Sequence, residues 1–330
     1  MAQVLEDVDL PATGGPGDQE LGSSPLALAW GRLRRDRVGM ICLGIVVLFV
    51  LAGALAPVIS SLYGKDPFTH YGQDIPGLLT DTGAPAGANG GISSEFWFGV
   101  EPGLGRDVLT QLLYGIRNSL TVSVICVLIT TSLSIAVGVT AGYLSGLTDR
   151  IFGFVCNVLL AFPYLLLLIA MTPVIDSLLV GDTEQEPVWM QFAVLVVVFC
   201  CFGWMSHALV LRSLVRSLRE REFVQAARAM GMPRHRIVLR ELLPNLTGPV
   251  IVHITMAVPA YVTSMAALSF LGVGVTEPTP DWGRMISQGA HYFYSVPTFM
   301  FFPGGAILIF VLAFNLLGDA VRDALDPKSR

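Results

Sequence analysis

Few side chains in this 330-residue sequence stand where they could do chemistry, and their positions decide which chemistries are open. A P-loop ends in Gly-Lys-Ser/Thr, so that backbone amides and the lysine can hold phosphates. The two lysines are Lys65, followed by Asp66, and Lys328, preceded by Pro327, so the chain carries no ATPase site of its own. An intramembrane enzyme needs a serine with a lysine or histidine base, or an HExxH pair. No HExxH occurs, and Ser206 and His207 are neighbours whose side chains diverge on a helix, so no catalytic residue is assigned. A proton- or sodium-driven carrier keeps ionisable groups at mid-membrane, where each costs roughly 3 kcal/mol and is retained for function. The one carboxylate within the long apolar runs is Asp319, at the end of the last, which disfavours a secondary transporter. His207 and His253, each alone in its run, read as interhelical hydrogen-bonding residues. Cys42, Cys126, Cys156, Cys200 and Cys201 lie in apolar runs without CxxC spacing, and read as small buried hydrophobes with no metal site.

The elements that hold these residues are membrane spans. Hydrophobic residues make up 53% of the chain and charged ones 14%, against about 25% charged in a soluble domain. With two lysines and a net charge of -5, no broad basic surface for nucleic acid exists. Six segments are long enough to cross about 30 Å of hydrocarbon: Val38 to Ser60, Leu120 to Gly142, Ile151 to Ile175, Val188 to Leu211, Leu246 to Leu271 and Phe299 to Ala320. Pro163, Pro173, Pro259 and Pro303 are candidate kinks within them. Alternating the sides puts sixteen of the 20 Lys and Arg on the side of the N-terminus and four on the other, which predicts both termini in the cytoplasm. The fold class expected is an all-α polytopic membrane protein with six transmembrane helices.

The domain plan follows. Residues 1–24, rich in Gly, Pro, Asp and Glu, read as a disordered cytoplasmic tail. Residues 25–60 hold an interfacial helix and the first span. Residues 61–119, rich in Gly and Pro, read as a small external insert, and 120–320 as a core of five spans, followed by a cytoplasmic tail, 321–330. A second external segment, 272–298, carries aromatic residues that suit a belt at the headgroups.

Between the fourth and fifth spans lies a cytoplasmic loop, 212–245, with eight arginines. In it Phe223, Ala226, Ala227 and Met230 recur at i, i+3, i+4 and i+7, which predicts a short amphipathic helix. Gly231 supplies a left-handed stop and Pro233 a new start. Two readings fit this helix: an anchor on the headgroups, or a docking helix that offers Phe223 and Met230 to pockets of a partner.

QAARAMG followed by PRHRIVLRELLPN resembles the cytoplasmic loop of inner-membrane permeases of ABC importers. With FWFGVEPGLGRDVLTQLLYGIRNSL, AALSFLGVGVTEPTPDWGRMI and AFNLLGDAVRDALDPKSR, the chain from about Leu26 onward is similar to the C-type permease of the dipeptide, oligopeptide and nickel transporters. The resemblance implies a type I ABC importer permease fold in a bacterial plasma membrane, importing short peptides, or nickel or haem through the same architecture. It implies a homologous permease, one or two ATP-binding subunits that use ATP and Mg, and an external substrate-binding protein as partners, beside membrane lipid and the peptide itself. It makes Phe223, Gln225, Ala226, Ala227, Met230 and Gly231 the coupling helix that docks on the ATPase. Gln225 stands where that motif often has Glu, and Glu241 where relatives often have His.

Polar residues within spans give the expected translocation pathway: Thr131, Ser134, Asn157, Thr263, Ser264 and Asn315. On the external segments, Trp97, Arg106, Asp281 and Trp282 are expected to meet the binding protein or the second permease.

Overall fold

The computed structural model describes residues 25–144, 146–179 and 187–325. The expected N-terminal tail, residues 326–330 of the expected C-terminal tail and 180–186 of the loop after the third span therefore lie outside the described residues, while 321–325, expected as tail, continue the last helix. Fourteen α-helices run in order through them: α1 (Pro25–Leu33), α2 (Arg37–Ala54), α3 (Ala56–Tyr63), α4 (Tyr71–Asp74), α5 (Val108–Leu144), α6 (Leu147–Leu160), α7 (Tyr164–Leu179), α8 (Val188–Phe202), α9 (Met205–Leu218), α10 (Glu222–Ala229), α11 (Arg234–Ile237), α12 (Leu243–Phe270), α13 (Trp282–His291) and α14 (Pro297–Leu325). Apolar runs in hydrocarbon become helices because only there does one segment satisfy all its own backbone groups.

Five helices are long and apolar enough to cross a membrane: α2, α5, α8 running on into α9, α11 running on into α12, and α14. A sixth crossing is made only where a bent pair counts as one span. α6 and α7 pass the same test only together, and they meet at 88°. The continuous helix expected over Ile151 to Ile175 is thus corrected to two pieces parted at Ala161 to Pro163. Pro163 has no N–H to donate and its ring pushes Phe162 out of the helical region. Pro173, Pro259 and Pro303 sit inside continuous helices instead.

Two boundaries also move. α2 ends at Ala54, and α3 begins a new helix with Pro57 in its first turn, ahead of the expected end at Ser60. α5 begins at Val108, so the last part of the expected external segment is helix. Its 37 residues make a rod of about 56 Å, far longer than the hydrocarbon. α5 is the axis of the bundle, packed by α2, α8, α9 and α12. Along α9 the backbones nearly touch: a Cβ on Gly138 would lie 3.1 Å from the Cα of Ala208. Small residues at such crossings allow the close packing that joins helices in lipid.

The insert between α3 and α5 holds together through short pairings, Leu79 with Pro85 and Val100 with Asp107, and buries Phe96 and Val100. At the other end of α5 the 212–245 loop makes its own small core with the helix ends. α5 therefore joins an insert end and a loop end.

Candidate functional site

At the loop end, α10 has two different faces. Val224 and Ala227 are buried in a cluster with Val139, Leu211, Val215, Ile237, Leu242 and Leu246. Phe223, Ala226 and Met230 face outward, Met230 with 76% of its surface exposed. The six residues expected to act together are thus divided: Ala227 belongs to the inner face, a correction to the face drawn from the sequence. Val224 was missed, although Val224 and Ala227 at i and i+3 are the signal for that inner stripe.

The helix stops as its local chemistry requires. Gly231 has φ 75°, its N–H donates to the Arg228 carbonyl at 3.0 Å, and the Met232 N–H donates to the Ala227 carbonyl at 3.1 Å. These two bonds form a Schellman closure, with Met232 packed on the inner cluster. At the start, the Gln225 side chain donates to the Glu220 carbonyl at 3.1 Å and ties α10 to the preceding turn. Glu241 lies in a π-helical stretch, Val238–Leu242, and its carbonyl accepts from the Asn245 side chain at 2.6 Å.

A Cβ on Gly231 would meet nothing within 4 Å, so any penalty there comes from backbone strain alone. Gly231→Val is expected to cost about 1–2 kcal/mol and to fray the last turn of α10, while Gly231→Asn, tolerated in the left-handed region, costs less. Hydrogen exchange at the amides of residues 231 and 232 reads this directly. Equal protection in both variants would contradict it.

At the insert end a buried ion cluster joins segments far apart in sequence. Arg106, 1% exposed, donates to Glu101 through Nε (2.5 Å) and Nη2 (2.7 Å), and through Nη2 to Glu277 (3.3 Å). Gln111 of α5 donates to Glu101 at 3.1 Å, and Arg284 of α13 to Glu277 at 2.7 Å. Burial, with Arg106 close by, pulls the Arg284 guanidinium below its ordinary range. Asp281 caps α13 by accepting from the Arg284 N–H at 3.0 Å, and burial pushes its carboxyl above the usual carboxylate range. The Trp282 indole donates to the Leu112 carbonyl at 3.0 Å and packs edge-on to Phe49 and Phe310.

Arg106, Asp281 and Trp282 are therefore inside this chain, which corrects their expected role as direct contacts for another protein. Trp282 is also no headgroup belt residue. Trp97 alone of the four is exposed, and its ring lies tilted against Tyr63 with centroids 4.9 Å apart.

The expected pathway residues do not converge. Ser264 lines a cavity of about 430 Å³ with Tyr164, Ser206, His253 and Tyr261, where the α6–α7 bend meets α9 and α12. Thr131 and Ser134 are buried between helices, and Ser134 bonds the carbonyls of Thr130 (2.6 Å) and Trp204 (2.8 Å). Asn157, Thr263 and Asn315 lie exposed on other surfaces. The histidines expected to bond separately instead stack on each other, ring centres 3.5 Å apart, with His207 Nε2 lacking a hydrogen-bond partner among the described residues. Of the cysteines, Cys42, Cys126 and Cys156 are buried as expected, whereas Cys201 is exposed. The cavity residues Tyr164, Ser206 and Tyr261 escaped the sequence because tyrosine and serine in spans have no pattern that distinguishes a wall from a contact.

Two family models match. Residues 134–330 match the binding-protein-dependent transport system inner membrane component, and residues 24–79 the N-terminal TM domain of oligopeptide transport permease C. The chain is 34% identical over 320 residues to the dipeptide transport system permease protein DppC of Alkalihalophilus pseudofirmus, covering 97% of this chain and 95% of the relative. It is 30% identical over 334 residues to the oligopeptide transport system permease protein OppC of Bacillus subtilis, covering both chains completely. It is 33% identical over 299 residues to the glutathione transport system permease protein GsiD of Escherichia coli, covering 91% and 89%.

Proposed function

We propose that this chain, which belongs to the binding-protein-dependent transport system inner membrane components, forms half of the translocation pathway of an ATP-driven importer for short peptides. It works as a multi-pass permease subunit. Dipeptide, oligopeptide and glutathione permeases are its relatives along nearly the whole chain, and all three names specify peptides. Peptides share a backbone and little else, so a wall that serves many of them offers scattered hydroxyl and imidazole groups in place of fixed charges. The cavity of Tyr164, Ser206, His253, Tyr261 and Ser264 supports that role.

The observation that carries the coupling part of the reading is the divided surface of α10. Its inner face is already satisfied by the permease core, and its outer face leaves Phe223, Ala226 and Met230 free to fill a groove. A chain without a P-loop needs such a joint to an ATPase. In this reading α10 lies on the cytoplasmic side of a bacterial plasma membrane with both termini, which the Lys and Arg bias supports. A homologous permease supplies the second half of the pathway. One or two ATP-binding subunits use ATP and Mg, and a substrate-binding protein delivers the peptide from outside.

The test is ATP-dependent uptake into vesicles that contain the assembled transporter, with a photo-crosslinkable amino acid at position 264 and a labelled dipeptide. The expected result is uptake together with a peptide adduct at 264. Uptake without an adduct would remove this cavity from the pathway, and absence of peptide uptake beside uptake of nickel or haem would overturn the substrate class.

A further inference from the structure

Behind α10 lies a cavity of about 490 Å³ that the transport reading leaves unused. Its polar wall is made by Arg219, Arg228, Arg234 and Glu220, and Met232 and Ile237 contribute apolar surface. The three arginines come from three segments: the end of α9, the body of α10 and the start of α11. Three positive side chains thus face one negative. Glu220 is already held by Arg219 at 2.9 Å, and its side chain is 64% exposed. Arg228 lies over the Tyr143 ring at 5.4 Å. Among the described residues neither Arg228 nor Arg234 is paired with a carboxylate.

Arginines gathered at a cavity without matching acids repel one another, and a bound anion relieves that repulsion. The guanidinium fork matches phosphate oxygens two at a time, and the charge on both partners strengthens each bond. A volume of this size suits a headgroup or small metabolite. The ATPase partner is a poor source of the anion. Arg228 is two residues from both Ala226 and Met230, hence about 160° around the helix from each, so the cavity opens away from the docking face.

We infer that this cavity is a binding site for a phosphate-bearing ligand that clips α10 to the ends of α9 and α11. A phosphate held by Arg219, Arg228 and Arg234 closes a ring of contacts around the inner core, and the joint becomes stiffer when the site is filled. Two sources have this chemistry, an anionic phospholipid and a soluble phosphate, and they are separable.

The experiment uses the purified full-length chain in phosphatidylcholine nanodiscs and reads hydrogen exchange over residues 222–232, with native mass spectrometry of retained lipid. One arm adds phosphatidylglycerol and the other inorganic phosphate. Slowed exchange with phosphatidylglycerol alone assigns the site to lipid; slowed exchange with phosphate assigns it to a soluble ligand; both uphold the site. The double variant Arg228→Gln, Arg234→Gln is expected to weaken the effect about tenfold or more, from about 1 kcal/mol per arginine near an anionic surface. Both side chains are exposed, and Arg234→Gln alone serves if the pair lowers stability. No protection in either arm, or protection unchanged in the variants, overturns the inference. Because no ATPase or peptide is present, that failure is distinct from failure of the transport reading.

Discussion

Replacing Arg106 by alanine is expected to cost about 3–5 kcal/mol of stability, more than any other single polar change at the insert end. The reason is what remains behind. Glu101 has a side chain 2% exposed and receives two of its hydrogen bonds from Arg106, so the variant leaves a buried carboxylate held by the Gln111 amide. An unpaired buried charge keeps its desolvation cost after losing the attraction that offset it. Glu277 is a milder case: at 49% exposure it is partly wet, but its loss leaves the Arg284 guanidinium, 9% exposed, without its ion-pair partner, so Glu277→Ala is expected to cost about 1–3 kcal/mol. The double variant Arg106→Met, Glu101→Leu removes both charges and is expected to recover most of the loss. Thermal unfolding in detergent of the wild type, of these variants and of the singles Arg106→Met and Glu101→Leu checks this order. A double variant as unstable as the sum of its singles would mean that the pair is not the unit that stabilises the insert.

The same cluster marks the limit of what the sequence makes legible. Arg106 and Glu277 are 171 positions apart, and no local pattern joins them. Arg106 in sequence is an arginine in a Gly-rich stretch, open to any partner. Trp282 likewise reads as an interfacial aromatic until Phe49 and Phe310, from α2 and α14, close around it. The start of α5 was hidden for a related reason. Gln111 and Asn118 lower the apolar signal of 108–119, yet both are satisfied by distant groups, Glu101 and the carbonyl of Pro280. What could be read is what one segment fixes alone. An apolar run with no water must be helical, and Gly231 with Pro233 ends one helix and starts another through bonds within six residues. Pro163 lies between these cases: its missing N–H predicts a kink, but the 88° bend depends on how α6 and α7 pack on α9 and α8. Periodicity also left the faces of α10 unresolved by one residue, since Ala227 is small enough to suit either side.

The outward face of α10 carries the largest effect on function. Phe223→Asp with Met230→Asp is expected to abolish peptide uptake and the retention of the ATPase while leaving the fold as it is. Met230 is 76% exposed and Phe223 39%, so their replacement changes stability by about 1 kcal/mol, most of it at Phe223. In a filled groove, by contrast, each anchor is worth about 2 kcal/mol or more, and a buried unpaired carboxylate adds its own penalty. Even allowing for non-additivity, the complex weakens by at least about 30-fold. The inner face supplies the control. Ala227→Leu forces extra volume among Val224, Leu211 and Ile237 and is expected to cost about 1–3 kcal/mol of stability before any docking is tested. The two variants thus separate a joint from a scaffold: the outward pair loses ATPase co-purification at nearly unchanged unfolding temperature, and the inner variant loses unfolding temperature first. Should the outward pair keep both the ATPase and uptake, α10 is a membrane-surface anchor. The same pair would then weaken binding of the isolated chain's loop to anionic vesicles, because Phe223 and Met230 would have been its hold on the acyl boundary.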